Sequence, residues 1–218
     1  MLVIDYDSVP EEGEHAFIYL DRRRYDIDDR VEIPVHVAAH VICEFVGRAV
    51  RDNGDETEEP PVIESVWLPR ATSVGAGTFE ECPWLVRISL PVVEGIGGYA
   101  FAACDRLRSV ALDAQYFEEG AFSSCSHLRA VSLPYARSSV KLFAYCTALE
   151  SVSMPAVRRL HQGAFWRCSS LATISLPSVR VVEHQAFARC ASLETIYLPN
   201  LDSVEDDAFD GCFNLSMD

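Results

Sequence analysis

The sequence predicts an α/β solenoid, and three columns of residues that recur in phase predict it. Seven cysteines, Cys82, Cys104, Cys125, Cys146, Cys168, Cys190 and Cys212, are spaced 22, 21, 21, 22, 22 and 22 residues apart. A phenylalanine lies three residues before each of them, from Phe79 to Phe209, and a leucine three residues after each, from Leu85 to Leu215. A unit this short cannot bury its own apolar face. Successive units must therefore stack on one another and share a continuous core.

Residues 1–61 stand outside this period and read as a small α+β cap at the amino-terminal end of the stack. LVIDY and AFIYL are two short strands around a PEEGE turn. Pro34 suits the first turn of a helix, and Val37, Ala38, Val41, Ile42, Phe45, Val46 and Ala49 give that helix a broad apolar stripe. DNGDETEEPP follows as an exposed acidic linker.

Residues 62–218 form the solenoid, with about seven coils of the unit AFxxCxxLxxVxLPxVxxV. Within it LxxVxL alternates with period two, which predicts a half-buried strand, and the proline after it stops the strand. A further copy of this stretch, Ile63 to Pro69, precedes the first Phe. The AFxxCxxL stretch places apolar residues at i, i+3 and i+6, so a short helical or 3-10 turn facing inward is expected there. Two rungs depart from the unit. Asp113 replaces the proline in one, and that rung and the next, Leu133 to Phe143, are one residue shorter. A local irregularity is expected at this point.

The AFxxCxxLxxVxLP phasing resembles the BspA-type leucine-rich repeats over residues 62–215. The resemblance implies a leucine-rich-repeat solenoid with a parallel sheet on its concave face and the turns on the other. Members of this family are commonly surface-attached recognition proteins, so it also implies a role in binding macromolecules. No catalytic residues come with it.

Composition narrows the partner. The net charge is −15, from 33 acidic and 18 basic residues, and such a chain repels phosphate backbones and anionic bilayers. Nucleic acid and membrane are therefore not expected partners. The longest apolar run, Val35 to Val50, is broken by His36, His40, Glu44 and Arg48, so no membrane span is expected. The first residues, MLVIDYDSVPEEGE, have no basic region or apolar stretch of a signal peptide. With eight cysteines and no such signal, reduced thiols and a cytoplasmic location are expected.

The cysteine column invites a metal reading, but each cysteine is alone in its coil, and ligands in a row do not make a tetrahedron. Parallel side chains on adjacent coils also fail to present the torsion of a disulfide. Small buried thiols packed between Phe and Leu are expected instead, with Cys43 buried separately on its own helix. The six histidines share no repeat column and pair with no nucleophile at a recurring spacing. Gly95, Gly97 and Gly98 lack the spacing of a phosphate loop. No enzyme, cofactor or metal is expected.

The outward sheet surface can be written down directly. Its two columns are Ser65, Arg87, Ser109, Ala130, Ser151, Thr173, Thr195 and Trp67, Ser89, Ala111, Ser132, Ser153, Ser175, Tyr197. Nine of these fourteen are Ser or Thr and one is charged, so the surface is a nearly neutral hydroxyl floor with Trp67 and Tyr197 at its ends. A protein or peptide partner lying along it would use those aromatics as anchors. Arg87 on the floor and Arg108, Arg129, Glu150 and Glu194 beside it would set the partner's register. The same small hydroxyl residues suit the crowded inner side of a curved sheet without any partner.

Three other functions compete. IPVHVAAHVICEFVG resembles the first helix of an F-box, which implies a substrate adaptor of a ubiquitin ligase. A surface recognition or adhesion protein follows from the exported members of the repeat family. Regular hydroxyl arrays also suit an ice-binding solenoid, although the interrupting alanines argue against it. Self-association through the carboxy-terminal coil is a further expectation.

Overall fold

The computed structural model describes residues 3–5, 15–19, 31–34, 65–67, 71–137 and 140–216. Seven three-residue strands recur at the LxxVxL stretch: β4 (Ser65–Trp67), β6 (Arg87–Ser89), β8 (Ser109–Ala111), β10 (Ala130–Ser132), β11 (Ser151–Ser153), β13 (Thr173–Ser175) and β15 (Thr195–Tyr197). Their pairing is parallel and in register, so that Val131 faces Val110 on one side and Val152 on the other. The central β-branched residue points inward. Val66, Val110, Val131 and Ile174 are buried, and Ile88, Val152 and Ile196 are half-buried. This is the alternation expected of a strand with one face on a core.

The ladder is not continuous. Strands pair as β4–β6, β8–β10–β11 and β13–β15, with openings between β6 and β8 and between β11 and β13. Among the described residues a second, two-residue strand recurs at the VxxV end of the unit. These are β5 (Ser73–Val74), β7 (Gly95–Ile96), β9 (Tyr116–Phe117), β12 (Arg159–Leu160), β14 (Val181–Val182) and β16 (Ser203–Val204), paired as two parallel three-stranded sheets.

The AFxxC stretch forms turns, and no helix is found among the described residues. The physical reason is where the amide hydrogens go. An α-helix spends its N–H groups within itself, but here alternate N–H groups bond to the next coil. The Phe79 amide donates to the Ala100 carbonyl at 2.7 Å, Phe101 to Ala121 at 2.9 Å and Phe165 to Ala186 at 2.7 Å. To present them the chain turns left-handed twice per coil. The residue two after Phe has positive φ in every coil, as at Ala103 (55°), Ser124 (60°) and Tyr145 (65°). Two before Phe, positive φ recurs from Gly77 through Gln185, with glycine in alternate coils. Gly120 shows why, because a Cβ there would lie 2.5 Å from the Tyr99 ring.

The phenylalanines stand in single file. Successive ring centroids from Phe79 to Phe209 are 5.2, 5.3, 6.0, 5.6, 5.1 and 5.4 Å apart. The widest step, Phe122 to Phe143, falls at the second shortened rung, where an irregularity is expected, and the largest tilt, 24° between Phe143 and Phe165, comes directly after it. Offset stacking at such distances adds to the gain from burying the rings.

In the amino-terminal segment β1 (Val3–Asp5), β2 (His15–Tyr19) and β3 (Val31–Pro34) form an antiparallel sheet in the order β1–β2–β3. The two strands expected there fall within LVIDY and across AFIYL. Pro34 does not open a helix; it is the last residue of β3, where it faces His15 across the sheet. Its lack of an N–H is tolerated at the end of an edge strand. The expected helix after it, with its F-box resemblance and Cys43, and the acidic linker lie outside the described residues.

Candidate functional site

The sheet surface follows the two columns read from the alternation. In the first, Arg87, Ser109, Ser151, Thr173 and Thr195 are exposed and Ala130 is half-buried. In the second, Ser89, Ala111, Ser132, Ser153, Ser175 and Tyr197 are all exposed. Trp67 lies in β4 opposite Ser89 of β6. Tyr197 ends the other side of the array with 59% of its surface exposed. Strands only three residues long hold this surface because the core behind it is closed, with Leu85, Leu107, Leu128, Leu149, Leu171 and Leu193 each wholly buried.

The flanking charges divide into two groups. Arg129 and Glu150 come together across adjacent coils at 3.4 Å, with side chains 65% and 57% exposed. Such a pair holds its partners weakly and can exchange them for those of a ligand. Arg87, Arg108 and Glu194 are exposed and make no ion pair among the described residues. The surface therefore offers a floor that is neutral apart from Arg87, with further charges at its edge.

The thiols have a structural task that the spacing did not reveal. From Cys104 onward each S–H donates to the phenylalanine carbonyl of the preceding coil: Cys104 to Phe79, Cys125 to Phe101, Cys146 to Phe122 and Cys168 to Phe143, at 3.1–3.2 Å. Cys190 and Cys212 repeat the contact at 3.0 Å. A thiol is a weak donor, but a buried carbonyl gains from any partner. Burial pushes the Cys168 thiol well above its ordinary range, and for Cys125 the neighbouring Cys146 and then burial do the same. These sulfurs are consequently poor nucleophiles at neutral pH.

Other polar groups gather at the rims. Ser126 donates to Asp105 at 2.8 Å and lies 3.0 Å from His127 Nδ1. In a hydrolytic triad the acid orients the histidine, whereas here the acid holds the serine, so this group does not form one. Glu183 accepts from Arg159 at 3.0 Å and contacts His161 Nδ1 at 3.2 Å. Burial pushes its carboxyl up, but Arg159 and His161 outweigh that and hold it below the usual range. His184, Glu205 and Asp207 bring their ligand atoms within 4.8 Å of one another on the last two coils, and among the described residues they are the group that could hold a divalent cation. The repeat hid this group, because the three residues occupy different positions of their coils. Nearby, Trp166, Gln185, Arg189, Asp210 and Phe213 line an open cleft of about 480 Å³.

Comparison with known proteins agrees with the fold. The profile of the BspA type leucine rich repeat region matches residues 62–156 and 137–217, in six copies. A leucine-rich repeat protein of Treponema pallidum is similar in structure, with a TM-score of 0.62 and 28% identity over 71% of this chain and 78% of that one. A leucine-rich repeat protein of Bacteroides ovatus has a TM-score of 0.58 and 26% identity over 70% of this chain and 47% of its own. A leucine rich cell surface protein of Faecalibacterium prausnitzii has a TM-score of 0.61 and 21% identity, covering 97% of this chain and 54% of its own. This chain thus spans about half the length of the last two. Comparison with curated proteins finds no match. With parallel coils, single-file phenylalanines and a profile that matches from residue 62 to residue 217, the chain belongs to the BspA-type leucine-rich repeat family.

Proposed function

We propose that this chain is a non-enzymatic binding module that holds a polypeptide along its sheet face. The observation that carries the reading is the surface itself: a run of small residues from Ser89 in β6 to Ser175 in β13, uncharged apart from Arg87 and exposed apart from the half-buried Ala130, ended by the exposed ring of Tyr197 in β15. A rigid apolar core behind a smooth surface lowers the cost of ordering on binding. Trp67 and Tyr197 serve as anchors at the two ends. Arg87, Arg108, Arg129, Glu150 and Glu194 fix the partner's register.

The test is affinity capture from the native cell with the wild-type chain and with a Trp67→Ala/Tyr197→Ala variant, followed by titration of the captured partner. A loss of affinity of at least about tenfold is expected from removing two aromatic anchors. Unchanged affinity would exclude the sheet face as the site. The same capture separates a cytoplasmic partner, expected from reduced thiols, from a cell-surface one of the kind suggested by the name of the Faecalibacterium neighbour.

Self-association through the last coil is a second reading, favoured by Phe213, which is 90% exposed. Sedimentation of the wild type and of Phe213→Ser distinguishes it. A dimer that Phe213→Ser dissociates supports it, and a monomer at high concentration removes it.

A further inference from the structure

The sheet opens between β6 and β8, and the opening coincides with the one coil whose strand is followed by Asp113 in place of proline. A notch of about 220 Å³ lies there. Its walls include Ser89 and Pro91 from one coil, Asp113 from the next, and Ser132 and Pro134 from the third. Ser89, Ala111 and Ser132 belong to the outward column, so the notch faces the same side as the proposed binding surface.

Its polar groups are unspent. Asp113 is exposed, is the only charged residue lining the notch, and makes no ion pair or hydrogen bond among the described residues. Unlike the prolines it replaces, it also has an amide hydrogen, which no carbonyl among the described residues accepts. The neighbouring Leu90 is 3% exposed. Its counterparts Leu112, Leu133 and Leu176 donate their amides to the next coil at 3.1, 2.9 and 3.1 Å, while among the described residues the Leu90 amide, like that of Met154 at the other opening, makes no such bond. Buried amide hydrogens without an acceptor are rare in folded proteins. At the other opening, between β11 and β13, Pro155 and Pro177 are both present.

We infer that the Asp113 notch is the specificity pocket for one basic side chain of an extended peptide. The inference rests on the sheet-face reading and names what that face selects. The aliphatic stem of Lys or Arg packs between Pro91 and Pro134, while its charged head meets the Asp113 carboxylate and the hydroxyls of Ser89 and Ser132. The peptide's own carbonyls supply acceptors for the unspent amides. A chain of net charge −15 also draws a basic segment toward it.

The test is to pan a random twelve-residue peptide library against the full chain and to measure the recovered peptides by fluorescence anisotropy at low salt. Three variants accompany the wild type: Asp113→Asn, Asp113→Pro, which restores the repeat's own residue, and Ser153→Trp, which obstructs the sheet face away from the notch. The expected result is a recovered set with Lys or Arg at one fixed position. Asp113→Asn and Asp113→Pro weaken it at least about tenfold, and replacing that residue in the peptide by norleucine does the same. Unchanged thermal melting of Asp113→Pro shows that the fold is intact.

Peptides without a basic preference, a preference that survives Asp113→Asn, or no recovered peptide would each overturn the pocket. Binding lost with Ser153→Trp but kept with Asp113→Asn removes the pocket and leaves the sheet-face reading standing. Binding lost with Asp113→Asn but kept with Ser153→Trp supports the pocket and removes the longer groove.

Discussion

The turn side and the sheet side of the solenoid are built from the same coils, yet they cohere differently. On the turn side the Phe amide of each coil from Phe79 to Phe187 bonds the coil after it, and the seven rings stack without a gap. On the sheet side the ladder divides into groups of two, three and two strands. Cohesion therefore resides in the Phe and Cys columns, where every coil repeats the same buried contact. The sheet surface is relieved of that duty. It can change residue by residue, and its openings can carry recognition.

The largest effect that would break this contrast is in the ring stack. Phe122→Ala or Phe165→Ala should cost about 3–5 kcal/mol, measured by denaturant unfolding, because each leaves a cavity between two coils. Ser132→Ala on the sheet surface should stay within about 0.5 kcal/mol. A loss below about 1 kcal/mol at both phenylalanines would mean that the stack does not hold the coils together.

A smaller effect sharpens the picture within the Cys column. The Phe122 carbonyl accepts from the Cys146 thiol and from no other described group, whereas the Phe143 carbonyl accepts from both the Cys168 thiol and the Cys146 amide. Cys146→Ala should therefore cost about 1–3 kcal/mol, with a carbonyl left unsatisfied, and Cys168→Ala roughly 1 kcal/mol less. Equal losses would show that the sulfur acts through packing alone.

The smallest effect is electrostatic and lies at the rim. The Lys141 ammonium, 2.8 Å from Glu119, holds that carboxyl below its ordinary value of 4.5 through its hydrogen bond and then its charge. A carboxyl depressed in the folded state stabilises it above the unfolded value and loses that contribution as pH falls through the folded one. Both side chains are largely in solvent, so Lys141→Met should cost no more than about 0.5 kcal/mol at neutral pH. The difference from wild type should vanish in acid below the depressed value. A difference that persisted there would assign the effect to packing of the lysine stem.

Much of this was legible before any coordinates. The alternation in LxxVxL placed all seven strands and, from β6 to β15, both outward columns, because a period of two leaves no choice of face once one face is buried. The missing proline at Asp113 marked one of the two openings in the strand ladder, and the shortened rung after it the widest step in the ring stack. The turns were misread as helical because apolar residues at i, i+3 and i+6 also suit a turn with two left-handed residues. Nothing in spacing reports where an amide hydrogen goes. Pro34 misled for a similar reason, since the end of an edge strand tolerates it as well as a helix start does.

Sequence alone determined the length of the coil, the order of the columns and the side each column faces, because these follow from periodicities written into neighbouring residues. Tertiary structure decided which groups are satisfied. The acceptor for each thiol from Cys104 to Cys212 lies 24 or 25 residues away, and the unspent amides at the Asp113 notch exist because β6 and β8 do not pair. Hydrogen bonds between coils depend on how two stacked turns meet, and a linear period does not carry that information.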